Sequence, residues 1–261
     1  MDYELFYAEA QALVKDLKDK TAVQTKAVGN VDKCISNGDL GALPKLYNTL
    51  REAAREREEA LLKLEEHTTA FDGSEYISSG DFSAQMAECC ESLEVDVQGT
   101  YPVYDMFPCR VTINAQSQDV TIDRKRVACL RPSRLVSIIK TELDKLSKAS
   151  FNAQAFAKEL AVAYDMAILK ASKKKATPEN APVYAQDIYN VLTPMRRYKK
   201  EYTKNNFAFD IARLYAADSV VLDDGRRLKF DTVRDMNKSI RILDGFGSEQ
   251  FVSTIRFVKT V

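Results

Sequence analysis

The sequence has a single histidine, His67, and only nine glycines among its 261 residues. His67 lies at the end of an acidic helical stretch, and no Ser, Cys or metal-ligand residue stands at a meaningful spacing from it. We therefore expect a solvated surface residue rather than a catalytic base. No glycine-rich loop of the Walker or dinucleotide type is present to hold a phosphate group. These absences argue against an autonomous ATPase and against a nucleotide-dependent oxidoreductase.

The cysteines do not form a disulfide framework, and no stretch of the chain approaches eighteen consecutive apolar residues. The acidic N-terminus is unlike a secretory leader, which would be basic and then apolar. We therefore expect free thiols in a reducing cytoplasm and no segment that spans a membrane. The adjacent pair Cys89 and Cys90 has no companion at a metal-ligand spacing, so we interpret both as packing residues. The remaining cysteines are Cys34, Cys109 and Cys129.

Charge is balanced over the whole chain but divided unevenly along it. Residues 1–100 contain 10 basic and 20 acidic side chains, and residues 101–261 contain the remaining 28 basic and 18 acidic ones. An asymmetry of this kind indicates an anionic partner for the basic half, with DNA as the leading candidate.

Residues 1–70 are predicted to form an antiparallel helical hairpin. Two apolar stripes at helical spacing are separated by Asn37-Gly38-Asp39, and Pro44 suits the first turn of the second helix. The stripes are narrow, so the hairpin is expected to bind a partner protein, associate with a second copy or pack on its own domain. The stripe residues are Leu5, Ala8, Leu13, Leu17, Val23 and Ala27, then Leu43, Leu46, Leu50, Ala53, Leu61 and Leu64.

The middle of the chain mixes both kinds of secondary structure. Residues 71–92 read as a connector, rich in Gly, Ser and Asp over 71–80, followed by a short helix. Residues 93–172 contain a predicted β-hairpin and then two helices, which places the protein in the helix-rich α+β class. The predicted strands are 109–113 and 120–127, the two helices begin at Pro132 and at Ser150, and a basic linker covers 170–182.

The last segment, residues 173–261, is predicted to hold a helix, a hairpin and two further strands, at 240–243 and 251–258. A helix is expected to begin at Thr193-Pro194, and a second helical pattern runs from Asn205 into a hairpin that turns at Asp224-Gly225 and returns through Arg226 to Phe230. We expect a type I′ turn there, because Gly adopts a positive φ at no steric cost. A helix followed directly by such a hairpin resembles the recognition helix and wing of a winged-helix domain, which implies DNA binding.

Clusters of basic residues in this half are the candidate nucleic-acid contacts, and we expect them to converge on a single continuous face of the folded protein. Lysine and arginine on phosphates supply affinity without reading sequence. Tyr198 and Tyr202 alternate with the basic residues, and we expect them to pack in the core. The candidate contacts are Arg196, Arg197, Lys199, Lys200, Lys204, Arg226, Arg227 and Lys229; further cations are Arg124, Arg126, Arg131, Arg134 and Lys173 to Lys175.

One constellation permits a catalytic alternative. Asp105 precedes the first strand of the central hairpin, and Asp123 and Lys125 lie at the matching end of the second. Two carboxylates and a lysine could bind Mg²⁺ and direct water at a phosphodiester. The pattern resembles that of restriction-endonuclease-like nucleases, with Glu88 and Glu91 in the preceding helix. The competing interpretation is a solvated hairpin end whose charges pair with one another.

The leading hypothesis is a non-catalytic subunit that docks through its N-terminal helices and binds DNA through its C-terminal half. This outline resembles the winged-helix accessory subunits that accompany coiled-coil ATPases in chromosome maintenance and in bacterial anti-phage defence. Under this hypothesis no cofactor is needed. The alternatives are the Mg²⁺-dependent nuclease and a protein-binding scaffold whose halves attract through opposite charge.

Overall fold

The computed structural model has the α+β architecture expected from the sequence, with long helices first and antiparallel strands after them. It describes residues 2–123, 125–172, 178, 180–217, 220–232, 239–244 and 247–259. The chain forms two compact units. The first comprises Met1–Cys89, Ile113–Val120 and Arg126–Leu135, and the second comprises Cys90–Thr112, Thr121–Lys125 and Val136–Val261. The units are therefore not consecutive segments of the chain, and both draw on residues 93–172.

The N-terminal hairpin is confirmed. Helix α1 covers Tyr3–Ser36, helix α2 covers Leu43–Thr69, and Pro44 lies in the first turn of α2. The helices run antiparallel, because Lys20 Nζ in α1 lies 2.7 Å from a carboxylate oxygen of Glu56 in α2, while the far end of α2 meets the start of α1. Asp2 caps α1 by accepting hydrogen bonds from the first-turn amides.

The seam between the two helices differs in part from the predicted stripes. Its less exposed residues alternate at spacings of three and four, which is the heptad pattern of a coiled coil. Leu5, Ala8, Val23 and Leu61, which were predicted to lie in the stripes, are exposed. The prediction was wrong at these positions because each helix carries apolar residues at helical spacing on more than one face. Contact with the other helix decides which of these faces forms the seam. The seam residues include Leu13, Leu17, Ala27, Val31 and Cys34 of α1 and Leu46, Leu50, Ala53, Ala60 and Leu64 of α2.

His67 closes the open end of the hairpin instead of lying free at the surface as expected. Its ring stacks on Phe6 with centroids 4.9 Å apart, and its Nε2 lies 3.2 Å from the carbonyl oxygen of Phe6. Phe6 also contacts Tyr3 and Phe71. The histidine is therefore part of an aromatic cluster at the base of the hairpin, which is a structural role.

Two short helices follow. The connector 71–80 contains helix α3, Gly73–Ser78, which the sequence analysis did not predict. Asp72 caps this helix by accepting hydrogen bonds from the amides of Ser74 and Glu75. Helix α4, Asp81–Ser92, agrees with the predicted helix. Tyr76 and Phe82 are fully buried and meet edge to face, which fixes the two helices together.

Five strands form an antiparallel sheet in the order β1-β2-β3-β4-β5. The single predicted hairpin is thus part of a larger sheet, and its second strand is divided. Asp123 has a φ of 49°, in the left-handed region, which ends β4 and lets the chain turn before β5. The strands are β1 Gln98–Thr100, β2 Val103–Met106, β3 Cys109–Asn114, β4 Asp119–Ile122 and β5 Lys125–Val127.

The next two helices are α5, Pro132–Lys148, and α6, Ala153–Ser172. The first begins where the sequence predicted. The second begins later, because Asn152 rather than Ser150 accepts the hydrogen bond from the amide of Ala155, at 2.9 Å. Asn152 is preferred because it stands directly before the first helical residue.

The remainder of the second unit places three helices on a four-stranded antiparallel sheet. The strand order is β6-β9-β7, and β8 pairs with the first half of β9. No helix begins at Thr193-Pro194 as predicted, because Thr193 is buried and its hydroxyl donates to the carbonyl of Tyr189, closing the preceding helix. The elements are β6 Val183–Tyr184, α7 Ala185–Leu192, α8 Tyr198–Glu201, α9 Lys204–Ala216, β7 Arg226–Thr232, β8 Ile240–Leu243 and β9 Glu249–Lys259.

The hairpin between α9 and β7 is present with a different turn. Leu222 and Arg226 are joined by a hydrogen bond, so the loop has three residues, and only Gly225 among them has a positive φ, of 80°. This is a type I turn followed by a left-handed glycine, not the predicted type I′ turn. The strand before the loop is reduced to one bridge, between Val221 and Arg227.

A continuous hydrophobic core joins α6, α7 and α9 to one face of this sheet. The fully buried side chains include Leu160, Tyr164, Ile188, Phe207 and Phe257. Leu228 and Phe230 of β7 pack against the core, so the residues between them project from the opposite face. The side on which each charged residue of the sheet lies follows from this alternation.

Candidate nucleic-acid interface

Among the described residues of the second unit, the most basic exposed segment is the loop and single-turn helix between α7 and α9, residues 196–204. It is anchored at both ends: Thr193 closes α7, and Thr203 forms a capping box with Asn206 that starts α9. All five predicted cations here are exposed, and Glu201 is the one acidic residue among them. We call Arg196, Arg197, Lys199, Lys200 and Lys204 the basic segment.

The two tyrosines of the basic segment have different roles. The Tyr202 hydroxyl donates to a carboxylate oxygen of Asp210, at 2.8 Å, and burial raises the pKa of both groups. Tyr202 therefore holds the segment on α9, as the core interpretation predicted. Tyr198 is 38% exposed, and the guanidinium of Arg197 lies 5.1 Å from its ring centre. The ring of Tyr198 is therefore accessible, and the prediction that this residue packs in the core is wrong.

A groove of about 450 Å³ adjoins the basic segment. It lies between α6 and the end of α7, and its lining is apolar apart from Glu159. Val162 and Met166 on α6 are more than half exposed within it. Exposed apolar side chains beside cations can bind a segment that is both apolar and acidic. The groove is lined by Val162, Met166, Val191, Leu192, Pro194 and Tyr198.

The three predicted cations of β7 do not act together. Arg226 points towards the helices, and its guanidinium donates to both carboxylate oxygens of Asp165, at 2.8 and 3.1 Å, and to Asp224 at 2.7 Å. These hydrogen bonds raise the pKa of Arg226. Arg227 and Lys229 are exposed on the outer face of the sheet. Arg226 is therefore a structural residue, and its side chain is engaged within its own unit.

The basic segment and the pair Arg227 and Lys229 lie on different sides of the second unit. The segment lies in the helical layer, since Lys199 contacts Asn190 and faces the ring of Tyr189 in α7. The pair projects from the sheet face that is turned away from that layer. The expected single basic surface is thus divided into two patches.

Helix α9, the candidate recognition helix, is covered along much of its outer side. Asn205 Nδ2 donates to Asp123 at 2.6 Å, Phe209 stacks on Phe107, and Arg213 donates to backbone carbonyls at the end of α5. Little of α9 is available to enter a DNA groove in this arrangement. Its main function here is to hold together the parts of the second unit.

The carboxylates of the nuclease alternative come to one end of the strands, as predicted, but each is already engaged. Asp105 accepts hydrogen bonds from Arg110, the nearer at 2.9 Å, and pairs with Arg241 at 2.8 Å. Asp123 accepts from the amide of Arg110 at 2.9 Å and from Asn205. Two guanidinium groups at Asp105 repel a divalent cation, and Lys125 is exposed. The geometry favours the competing interpretation, in which the charged residues at this end of the strands pair with one another instead of binding a metal ion.

The sequence analysis did not predict two charged residues that lie beside Asp105 and Arg110 and form one charged cluster with them. Arg241 and Glu249 belong to β8 and β9, far along the chain from Asp105, and they pair with each other at 3.5 Å. Cys109 is buried beside the cluster, and burial raises its pKa to about 12, so it stays a neutral thiol. No local pattern could have revealed these partners, because the contacts depend on how two sheets are placed.

The other predicted cations are mostly paired or scattered. Arg126 lies 2.6 Å from Asp119, and Arg131 binds Glu4. Arg134 is exposed. Arg124 and Lys173 to Lys175 lie outside the described residues. Of the described cations in this group, Arg126, Arg131 and Arg134 therefore add no second surface as dense in positive charge as the basic segment.

Comparisons with known proteins give no significant match to the chain, whether with family models, with curated proteins or with solved structures.

Within the described ranges, no three His, Cys, Asp or Glu side chains are grouped so that they could hold a metal ion. Among the helices of those ranges, none is both long enough and apolar enough to cross a bilayer. The five cysteines are free thiols.

Proposed function

We propose that the protein is a non-catalytic DNA-binding subunit of a multiprotein assembly in the cytoplasm. The observation that carries this proposal is the basic segment, which presents five exposed cations within nine residues and is anchored at both ends. Such a cluster attracts duplex phosphates and releases their counterions. It binds without reading base sequence, since phosphate contacts position a protein on DNA and do not specify a site.

The order of elements in the second unit supports the winged-helix comparison. From α6 the chain continues through a strand, the helices α7 to α9 and then strands β7, β8 and β9, with β6 and β7 on either side of β9 and β8 paired with β9. In this comparison α9 corresponds to the recognition helix, and the place of the wing falls between β7 and β9, where residues 233–238 and 245–246 lie outside the described ones, rather than at Gly225. Because α9 is covered, we assign the DNA contact to the basic segment that precedes it.

The N-terminal hairpin supplies the docking half of the proposal. It is two long helices of coiled-coil type whose seam buries few large side chains. We propose that it joins the protein to an assembly of the kind that the winged-helix accessory subunits form with coiled-coil ATPases. Chromosome maintenance and anti-phage defence are the two settings that this comparison implies.

Fluorescence anisotropy with a labelled DNA duplex tests the DNA assignment. We expect the triple variant Arg196→Glu, Arg197→Glu and Lys200→Glu to weaken binding by about 100-fold or more, since three attractions become repulsions. A matched control reverses three exposed lysines of α1, namely Lys15, Lys26 and Lys33. Equal affinities for the first variant and the unaltered protein, with both folded by circular dichroism, would exclude the basic segment as the DNA contact.

The groove beside the basic segment favours a second function, as a scaffold for a protein segment that is acidic on one side and apolar on the other. Val162 and Met166 would receive the apolar side, and Arg197 and Lys199 the acidic side. Met166→Asp separates the two functions, because it introduces a negative charge into the groove and leaves the basic segment intact. Loss of protein binding with unchanged DNA affinity would support the scaffold.

A further inference from the structure

One flank of the N-terminal hairpin is free of charge and unusually apolar. Each heptad contributes two residues to the seam. The residue directly after the second of them, such as Val14 after Leu13, recurs every seven residues along one side of the helix. In α1 this position holds Val14, Thr21, Val28 and Ile35, and in α2 it holds Tyr47, Ala54 and Leu61. We call these residues the apolar flank. In an antiparallel pair this position of one helix lies beside the same position of the other, so the residues share one face of the hairpin.

The apolar flank is exposed over most of its length. Val28 is 50% exposed, Ile35 53%, Tyr47 41% and Leu61 36%. The base of the same face is covered by the protein itself, since the guanidinium of Arg131 lies 3.5 Å above the ring of Tyr7, one heptad before Val14. The exposed part is therefore the arm of the hairpin beyond its base.

The opposite flank has a different composition. Its positions carry Glu9, Asp16, Val23 and Asn30 in α1 and Thr49, Glu56 and Lys63 in α2, so that Val23 is its one apolar residue, and Lys20 of the seam pairs with Glu56 there. Charged groups of this kind remain in water at little cost, whereas an apolar face gains free energy when it is covered. The two flanks thus distinguish a solvent side of the arm from a side that is suited to an interface.

We propose that a second copy of this chain covers the apolar flank, forming a four-helix bundle in which the two hairpins point in the same direction. This inference rests on the proposed docking role of the hairpin. A two-fold axis parallel to the arms places α1 of each copy against α2 of the other. The rotation keeps every residue at its own height along the arm.

One charge at the edge of the flank in each helix is complementary to the other under this rotation. The contact between Lys20 and Glu56 sets the register of the two helices. By that register Lys18 of one copy lies level with Glu58 of the second copy. Both are exposed, and Glu58 also pairs with Arg57 of its own helix, at 3.1 Å. This opposite pair occurs twice in the dimer, which favours the arrangement with α1 of each copy on α2 of the other.

The size of the flank indicates a reversible dimer. The arm from Val14 to Ile35 is about 30 Å long at 1.5 Å per residue, and two adjacent helices are about 20 Å wide. The face is then about 600 Å² per copy, at the lower end of specific interfaces, which bury roughly 800 Å² per partner. We therefore expect dissociation constants in roughly the micromolar range.

Sedimentation velocity over a range of protein concentrations, without DNA, tests the dimer. We expect Val28→Glu combined with Ile35→Glu to weaken dimerisation by about 100-fold or more, because both side chains would bury a charge. The matched control, Leu5→Glu with Val23→Glu, alters two exposed apolar residues that lie off the flank, at 65% and 51% exposure, and should leave the dimer intact. Helical circular dichroism shows that the variants fold.

A charge exchange tests the direction of packing. Lys18→Glu should weaken the dimer by about tenfold, and adding Glu58→Lys should restore it, since the pair is then reversed rather than broken. A protein that stays monomeric at all concentrations, or a dimer that survives the flank variant, would overturn the proposal. Failure here is distinguishable from failure of the DNA assignment, because the anisotropy assay alters the basic segment and leaves the flank unchanged.

Discussion

Arg226 donates a hydrogen bond to each carboxylate oxygen of Asp165, and this pair ties the start of β7 to helix α6. The next residue, Arg227, points from the opposite face of the sheet into solvent. Two neighbouring arginines that look equivalent in the sequence therefore have different roles. One contributes to folding, and the other is available to a ligand.

Alanine substitution should separate these roles. Arg226→Ala is expected to lower the free energy of unfolding by about 1 to 2 kcal/mol, because it removes a bidentate ion pair at a partly buried site. Arg227→Ala should change stability by less than about 0.5 kcal/mol. Urea denaturation measures both. Equal losses of stability in the two variants would contradict the assignment of Arg226 as the structural member of the pair.

The salt dependence of DNA binding should report on the basic segment. Each phosphate contact that is removed lowers the slope of log affinity against log salt by about 0.9. Alanine at Arg196, Arg197 and Lys200 should therefore reduce the slope by up to about 2.7. Anisotropy titrations between low and physiological salt provide the measurement, and alanine at Lys15, Lys26 and Lys33 is the control. An unchanged slope in the first variant would mean that these cations do not contact phosphates.

Asp105 is predicted to be important for stability rather than for catalysis. Asp105→Ala removes the nearer of the two carboxylates that Arg110 and Arg241 share and leaves them only Glu249, and Arg241 is only 15% exposed. We expect a loss of about 2 to 4 kcal/mol in the free energy of unfolding. Incubation of the unaltered protein with plasmid and Mg²⁺ or Mn²⁺ completes the experiment. Cutting that disappears in Asp123→Ala would instead support the nuclease alternative.

The pair Glu4 and Arg131 should make stability depend on pH in the acidic range. Hydrogen bonds from Arg131 hold the pKa of Glu4 below its ordinary value, so the folded state binds the proton less tightly than the unfolded state. The stabilisation is present above the ordinary pKa and is lost as the pH falls through the lowered one. Because Glu4 is 40% exposed, we expect only about 1 kcal/mol at neutral pH.

Denaturation of the protein and of Glu4→Gln at several pH values tests this contribution. The two stability curves should differ at neutral pH and converge as the pH falls through the lowered pKa of Glu4, where the glutamate becomes protonated in the folded state. Substituting Glu9, a more exposed carboxylate of the same helix, serves as the control. A difference between the curves that is constant with pH would show that the ion pair does not contribute through ionisation.

Local patterns predicted the elements that are long or sharply bounded. Helices α1 and α2 and strand β8 lie where spacing and composition placed them. Errors occurred where a contact between elements selects among local alternatives. Thr193 is a reasonable start for a helix, but its hydroxyl is taken by Tyr189 of the helix before it. Asp123 suits a strand end or a turn, and the hydrogen bond to Arg110 favours the turn.

The candidate sites were predicted less completely than the fold. The cations of the basic segment were predicted, and their exposure agrees with a binding role. The pairing of Arg226 with Asp165 and of Arg241 with Asp105 could not be predicted, because a charged residue in sequence does not show whether an opposite charge folds beside it. The expected single basic surface was divided for the same reason, since alternation along β7 sends Arg227 and Lys229 away from the helices.

The amino-acid sequence by itself determined the α+β class, the helical hairpin and the concentration of positive charge in the second half. These properties depend on residue spacing over a few turns and on composition, which act locally. Only the tertiary structure decided which charges are neutralised by partners, which face of each helix is covered and which flank of the hairpin remains open. Those outcomes depend on contacts between residues far apart in the chain, whose free energies exist only once the elements have packed.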